Sequence, residues 1–415
     1  MNKTVSKSVI HGTLVAPTSK SALQRLIVAA ILAKEKSVIS FESMSEDAEA
    51  VLGTAISLGA QVFKSNNEIE IQGGIQNPTG QINIGESGLG LRMVAPVLAA
   101  FPFSFEISGR GSLMKRPLGF VVDTLLSCGV EIQDTNGSLP IKLKGPILGD
   151  KIIIDGSVGS QLLTGFLFAG PILNRDIEIE VSNLKSKPYI DLTISILSDF
   201  GIEILNQSYE RFMIKSGQSY KACNCYAEGD WSGAAFVLVA AAIAGEIRLT
   251  GINNQSLQGD KQIVDVIKAC GASVVASDNE IFIKKNKLNA FEFDATDVPD
   301  LFPPLVALAV NCDGRSFIKG VGRLKHKESD RAMTLQNEFG KLGANIQINS
   351  DLMIIDGGKL HGANVFSNHD HRIAMALAVA ALTIENAVVI ESSEAVGKSW
   401  PDFFEKLESI GAQIK

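Results

Sequence analysis

Long apolar runs are missing from this 415-residue chain, and no stretch has the length that a bilayer demands. The first residues, MNKTVSKSVIHGTLV, carry no extended apolar segment followed by a small-residue cleavage site, so neither export nor membrane anchoring is expected. Cysteine is scarce as well. The five present, at 128, 223, 225, 270 and 312, are odd in number and scattered, which predicts free thiols in a reducing cytoplasm. Cys223 and Cys225 form a CxC pair without a second pair nearby, too little for a metal site. Positive charge is also in short supply, with 38 Lys and Arg against 45 Asp and Glu and a net charge of −7. That excludes a general nucleic-acid binder, which needs a basic face to neutralise phosphates. Any anionic ligand must therefore be met by cations concentrated locally.

What the chain has in quantity is repetition. SLGAQVF, SCGVEI, DFGIEI, ACGASVV, KLGANIQI and SIGAQI place Gly59, Gly129, Gly201, Gly271, Gly343 and Gly411 at intervals of 68–72 residues. Each glycine follows an amphipathic helical stretch and precedes an alternating strand, the position where a left-handed residue closes a helix. A second series keeps the same interval, starting near Lys20, Gly88, Ser160, Ser232, Asp300 and Arg372. Its members, such as SGAAFVLVAAAIA, are rich in Ala, Gly and Val nearly all round, as helices buried on every side are. Six copies of an α/β unit span nearly the whole chain, which is economically arranged as two domains of three units each. The exposed-looking AEGDWSG marks the crossing from the third unit to the fourth.

The buried helices open on residues that a buried helix should avoid: TSKS, GESG, GSVGSQ, GDWSG, DVPD and DHR. Helix N-termini carry free N–H groups and partial positive charge, so three such ends pointing one way in each domain would trap anions. RLKHKESDR could be a solvated helix start, but Lys325 and Lys327 precede Glu328 and Arg331, and the latter two are spaced for a first helical turn. Arg372 opposes the helix dipole at the mouth of an apolar helix, and a bound anion is the simplest compensation. His369 and His371 read as structural histidines. GRGSLMKRP offers Lys115 and Arg116 before Pro117, a good first residue for a helix, and VGKSWPDFF repeats the pattern with Lys398. GESGLGLR matches neither GxGxxG nor a Walker loop and lacks the acidic ribose partner, so dinucleotide binding is not expected.

Taken together these stretches resemble one family, the 5-enolpyruvylshikimate-3-phosphate synthases. SKSALQR is similar to the family's S-K-S-x-x-x-R, GSVGSQ to S-x-x-S-Q, KSKPYID to S-K-P-Y and KESDR to K-E-S/T-D-R, while DHR and KSWPDFF match its closing motifs. The resemblance implies a two-domain inside-out α/β barrel of the enolpyruvyl transferase type, each domain made of three βαβαββ repeats around parallel buried helices. It places the domains at 17–228 and at 1–16 plus 229–415, with the active site in the cleft between them. It implies transfer of the enolpyruvyl group of phosphoenolpyruvate to shikimate 3-phosphate by a cytoplasmic monomer, without metal or organic cofactor.

The same resemblance assigns shikimate 3-phosphate to Lys20, Ser21, Arg25, Ser160, Gln161, Ser186, Tyr189, Asp300 and Lys327. Phosphoenolpyruvate falls to Lys20, Gly88, Arg116, Gln161, Arg331, Arg372 and Lys398. Asp300 and Lys20 handle the hydroxyl proton and Glu328 the C3 proton. Two departures stand out. Glu86 replaces the family's usual Asn, and Leu89 its Thr. An acid beside a phosphate repels it unless it turns away or pairs with a cation such as Lys115. The rivals are a UDP-N-acetylglucosamine enolpyruvyl transferase, whose cysteine or aspartate is absent from GRGSLMKRP, and a noncatalytic anion-binding scaffold. The scaffold would have to tolerate buried cations at helix ends without a ligand to meet them.

Overall fold

The computed structural model describes residues 1–76 and 78–415. Contacts divide them into two units, Lys20–Ala227 and Met1–Ser19 with Glu228–Lys415, where the sequence reading set the boundaries at 17 and 228. Among the described residues, six four-stranded sheets share one topology, three in each unit. Lys151–Asp155 shows the pattern: it runs parallel to Ile177–Ser182, which pairs antiparallel with Arg211–Ile214, itself in a hairpin with Leu205–Gln207. The buried helix Gln161–Ala169 joins the two parallel strands, and the helix Pro188–Asp199 leads into the hairpin. A parallel pair cannot be joined by a tight turn, so where both strands are neighbours in the chain the repeat needs that helical crossover.

Three of these sheets take a strand from a distant part of the chain. Asn224–Tyr226 runs parallel to Lys36–Ser40, and Asn2–Ser6 lies antiparallel to Val388–Glu391 and Gln413–Ile414. Ile10–Val15 pairs parallel with Gly245–Thr250. The first two strands thus belong to the unit formed by Glu228–Lys415.

All six periodic glycines have positive φ, from 78° at Gly201 to 109° at Gly271. Each ends its outer helix where an L side chain would be strained, and the edge strand follows. Four inner helices are enclosed completely: every residue of Trp231–Ala244, Phe302–Ala309, His371–Ala381 and Gly88–Ala99 is buried. Small side chains make that possible. A Cβ added to Gly165 would lie 2.7 Å from the carbonyl oxygens of both Arg92 and Met93, so the helices Gln161–Ala169 and Gly88–Ala99 meet backbone to backbone.

Two local expectations are corrected. Pro117 does not begin a helix, because the next one starts at Gly119 after a short 3-10 turn over Gly111–Lys115. Glu328 lies in the loop ahead of the helix Arg331–Lys341 rather than in its first turn, since Asp330 takes the N-cap and accepts the Met333 N–H at 3.3 Å. No helix among the described residues is long and apolar enough to cross a membrane.

Candidate active site

In the unit Lys20–Ala227, three inner helices begin side by side. Ser87, the N-cap of Gly88–Ala99, accepts the Gly90 N–H at 3.0 Å and donates to Gln24 Oε1 of the helix Lys20–Leu32 at 2.9 Å. Arg92 Nη1 donates to Gln161 Oε1, on the first residue of the third helix, at 2.9 Å. These two bonds across helices gather the three N-termini, and their partial positive charge, at one end of the unit. The predicted residues cluster there. Lys20 Nζ is 3.0 Å from Asp47 Oδ2. Arg25 is 1% exposed and donates to Thr193 Oγ1 (2.9 Å) and to the Ser21 and Tyr189 carbonyls (2.7 and 3.4 Å), with its guanidinium 5.9 Å from the Tyr189 ring centre. Ser160 is the N-cap of its helix. Ser186 holds a positive φ of 59°, and its carbonyl accepts the Tyr189 N–H at 3.1 Å. Arg116 packs onto Gly88 so closely that an added Cβ would sit 2.5 Å from Arg116 Nη1 and 3.0 Å from Arg92 Nη1. A side chain at this helix start would push the two guanidinium groups aside.

The other unit gathers Asp300, Lys327, Glu328, Arg331 and Arg372 into one network. Asp300 Oδ1 accepts from Lys327 Nζ (3.2 Å) and Arg331 Nη1 (2.8 Å), and its Oδ2 accepts from Arg372 Nη2 at 3.0 Å. Arg331 also donates to Asp370 through Nε (2.8 Å) and Nη2 (3.2 Å), and to Glu328 Oε2. Arg372 Nη2 reaches Ser232 Oγ at 3.0 Å, on the helix that Asp230 caps. Lys398 Nζ donates to the His369 carbonyl at 2.8 Å, and the ring of His369 meets Phe366 edge-on with centres 5.2 Å apart. The His371 ring is buried with Nδ1 3.8 Å from Asp370 Oδ1.

This network corrects one expectation. The dipole opposed by Arg372 is offset within the protein, because Asp370 is the N-cap and accepts the Arg372 N–H at 3.0 Å while Asp300 meets the guanidinium. The cations of this cluster therefore have carboxylates even without a ligand, and the buried-cation argument against a scaffold loses force in this unit.

Electrostatics separate the clusters. Burial alone would push Asp300 towards its neutral form, but Arg372, Lys327 and Arg331 outweigh it and hold the carboxyl well below 3.8. Burial likewise opposes the charge on Arg331 and Arg372, yet nearby carboxylates, led by Asp370 for Arg331 and Asp300 for Arg372, raise both above the usual arginine range. Lys327 moves down, because burial exceeds the help it gets from Asp300. Arg25 also moves down, to about 10, as burial dominates.

Every predicted site residue thus lies in one of two clusters, one per unit. Sequence reasoning missed the partners. Asp47 holds Lys20, Arg92 bridges two helices through Gln161, and Asp370 grips Arg331. A signal existed for two of them: Arg92 is the one charge inside an apolar helix, and Asp370 stands at an N-cap position. Asp47 sits among the acids Glu46 and Glu49 of an outer helix, where nothing in the pattern singles it out. Among the described residues no group of three or more His, Cys, Asp or Glu could hold a metal ion.

Known proteins are similar to this chain in sequence and fold. A family model described as EPSP synthase (3-phosphoshikimate 1-carboxyvinyltransferase) matches residues 5–407. Curated 3-phosphoshikimate 1-carboxyvinyltransferases from Clostridium kluyveri and Clostridioides difficile are each 36% identical to the chain, over 99% and 98% of it and 97% of either relative. The enzyme of that name from Methanocorpusculum labreanum is 35% identical across the whole of both chains. An EPSP synthase structure from Acinetobacter baumannii superposes with a TM-score of 0.84 at 25% identity, covering 100% of this chain and 99% of that one. The enolpyruvyl transferase NikO from Streptomyces tendae, at 16% identity and a TM-score of 0.80 over 100% and 98% of the two chains, shares the fold.

Proposed function

The chain belongs to the EPSP synthase family and transfers the enolpyruvyl group of phosphoenolpyruvate to shikimate 3-phosphate in the shikimate pathway; from that premise we propose how its residues divide the work. Arg25 binds the phosphate of shikimate 3-phosphate, aided by the hydroxyls of Ser21, Ser160 and Ser186, with Tyr189 along the ring. Support comes from Arg25 itself, a buried guanidinium that donates to one hydroxyl and two backbone carbonyls, all neutral. Arg116 and the N-terminus at Gly88, with Lys20 and Gln161, receive the phosphoenolpyruvate phosphate, and Arg331, Arg372 and Lys398 receive the rest of that anion. Since residues of both units serve one reaction, neither unit turns over alone, and one chain supplies the full set.

The reaction adds the 5-hydroxyl oxygen to C2 of phosphoenolpyruvate while C3 takes a proton. The tetrahedral ketal then loses phosphate as C3 gives the proton back. Asp300, held ionised by three cations, accepts the 5-hydroxyl as a hydrogen bond. So depressed a carboxylate is a weak base, so the proton moves only as the new C–O bond acidifies it. Lys20 assists from beside Asp47, and Lys327 steadies the substrate hydroxyls. Glu328, tied to Arg331 by one oxygen, protonates C3 and later removes that proton. The cations contribute preorganised charge, which needs no rearrangement during the step.

The observation that carries this reading is the Asp300 carboxylate, met at once by Lys327, Arg331 and Arg372 at 2.8–3.2 Å. The test is phosphate release by purified protein. Release should require both shikimate 3-phosphate and phosphoenolpyruvate; release with UDP-N-acetylglucosamine instead, or none at any pH, overturns it.

A further inference from the structure

We infer that Glu86, an acid where the family usually has Asn, is a positioning residue that holds Arg116 for phosphoenolpyruvate instead of repelling the ligand. This rests on the assignment of Arg116 given above. Glu86 lies two residues before Gly88, at the mouth of an anion-binding helix, and simple Coulomb repulsion would make it harmful there. Its carboxylate is taken up by a neighbouring loop. Oε2 accepts both the backbone N–H of Ser112 (3.0 Å) and the Ser112 hydroxyl (3.1 Å). The same hydroxyl accepts from Arg116 Nη2 at 3.3 Å. Having given its proton to Glu86, Ser112 Oγ must turn a lone pair outward, and the guanidinium takes it. The chain of bonds runs from carboxylate to hydroxyl to guanidinium, and it brings Arg116 Nη1 against Gly88.

The loop is built for this contact. Gly111 has a φ of 57°, and a Cβ there would lie 2.3 Å from the Glu86 carboxyl carbon. Gly85, with a φ of 60°, accepts the Arg110 N–H at 2.8 Å and so closes the loop from the other side. A side chain at 111 would displace the Glu86 carboxylate from this position, in a backbone conformation that already disfavours it. The loop and the acid fit each other as a pair, which the alternative of an exposed Lys115 partner does not require.

The two readings of Glu86 predict opposite signs. If the acid repels phosphoenolpyruvate, Glu86→Ala tightens binding; if it positions Arg116, Glu86→Ala weakens it. Steady-state phosphate release by the full chain, with each substrate varied in turn, decides. Positioning predicts that Glu86→Ala raises the phosphoenolpyruvate KM about tenfold or more, as loss of a charge-assisted bond should, with the shikimate 3-phosphate KM changed less than about twofold and kcat little altered. Glu86→Gln, which keeps an acceptor oxygen, should fall between Glu86→Ala and wild type. Ser112→Ala, which removes the hydroxyl that links the carboxylate to the guanidinium, should raise the phosphoenolpyruvate KM by a comparable factor, and the double variant should be no worse than either single one. A lower or unchanged phosphoenolpyruvate KM in Glu86→Ala overturns the proposal, as does an equal rise in both KM values with a fall in Tm. Arg116→Ala separates the layers: a raised phosphoenolpyruvate KM there with none in Glu86→Ala removes Glu86 alone, whereas no effect of Arg116→Ala removes the assignment of Arg116 and this inference with it.

Discussion

Two arginines at equivalent depths, Arg25 and Arg331, are each 1% exposed, yet their environments move them in opposite directions. Arg331 is gripped by the carboxylates of Asp370, Glu328 and Asp300. Arg25 donates to a hydroxyl and two carbonyls and falls to about 10. Keeping Arg25 charged below pH 10 therefore costs the fold of order 3 kcal/mol. A cost of that size, left uncompensated by the chain, is what an anionic ligand would offset. The acid-rich cluster balances itself and is suited to holding hydroxyls and moving protons. Arg25 keeps a positive charge that no carboxylate among its hydrogen-bond partners offsets, as its proposed role on the substrate phosphate requires.

The comparison breaks most visibly in turnover. Glu328→Gln should lower kcat by about 10²–10⁴-fold, the usual yield of general acid-base catalysis, while shikimate 3-phosphate still binds by calorimetry; equal losses in both would take Glu328 out of the chemistry. Stability gives the next effect. Arg331→Met strands the buried carboxylate of Asp370 and should cost about 3–5 kcal/mol in urea unfolding. Arg25→Met strands only neutral acceptors and should cost about 1–3 kcal/mol in the absence of ligand. If Arg25→Met proved the more damaging, the contrast between the units would be wrong. The smallest effect is in pH. Because Asp300 lies well below 3.8 in the folded chain, its ionised form stabilises the fold above about pH 4, and that contribution is lost as pH falls through the folded value. The difference in urea midpoint between wild type and Asp300→Asn should hold from pH 7 to 5 and shrink below about 4; a constant difference would mean that Asp300 draws no stability from its cations.

Much of the fold was legible because it rests on local chemistry repeated six times. A left-handed glycine after each outer helix and an all-round apolar inner helix are read from neighbouring residues, and each recurs in register. The motifs likewise picked out side chains that the fold gathers into one cluster in each unit. What stayed hidden was the counter-charge. Lys20 and Asp47 are in separate helices, Arg92 reaches Gln161 across 69 positions, and Arg331 reaches Asp370 across 39; no periodicity encodes such pairings. Glu86 shows the limit most clearly. Its sequence neighbours left two ways to silence the acid, and only the backbone of the loop at Gly111 and Ser112 reveals which groups receive it.

On the proposed reading, a substrate phosphate completes the buried charge of Arg25. Calorimetric titration of wild type and Arg25→Met with shikimate 3-phosphate and with shikimate tests it most directly. The account predicts that Arg25→Met loses about 100-fold or more in affinity for shikimate 3-phosphate, as removal of a buried charge-assisted contact should, and that the affinity for shikimate is unchanged. Equal losses for both ligands, or none for either, would contradict it.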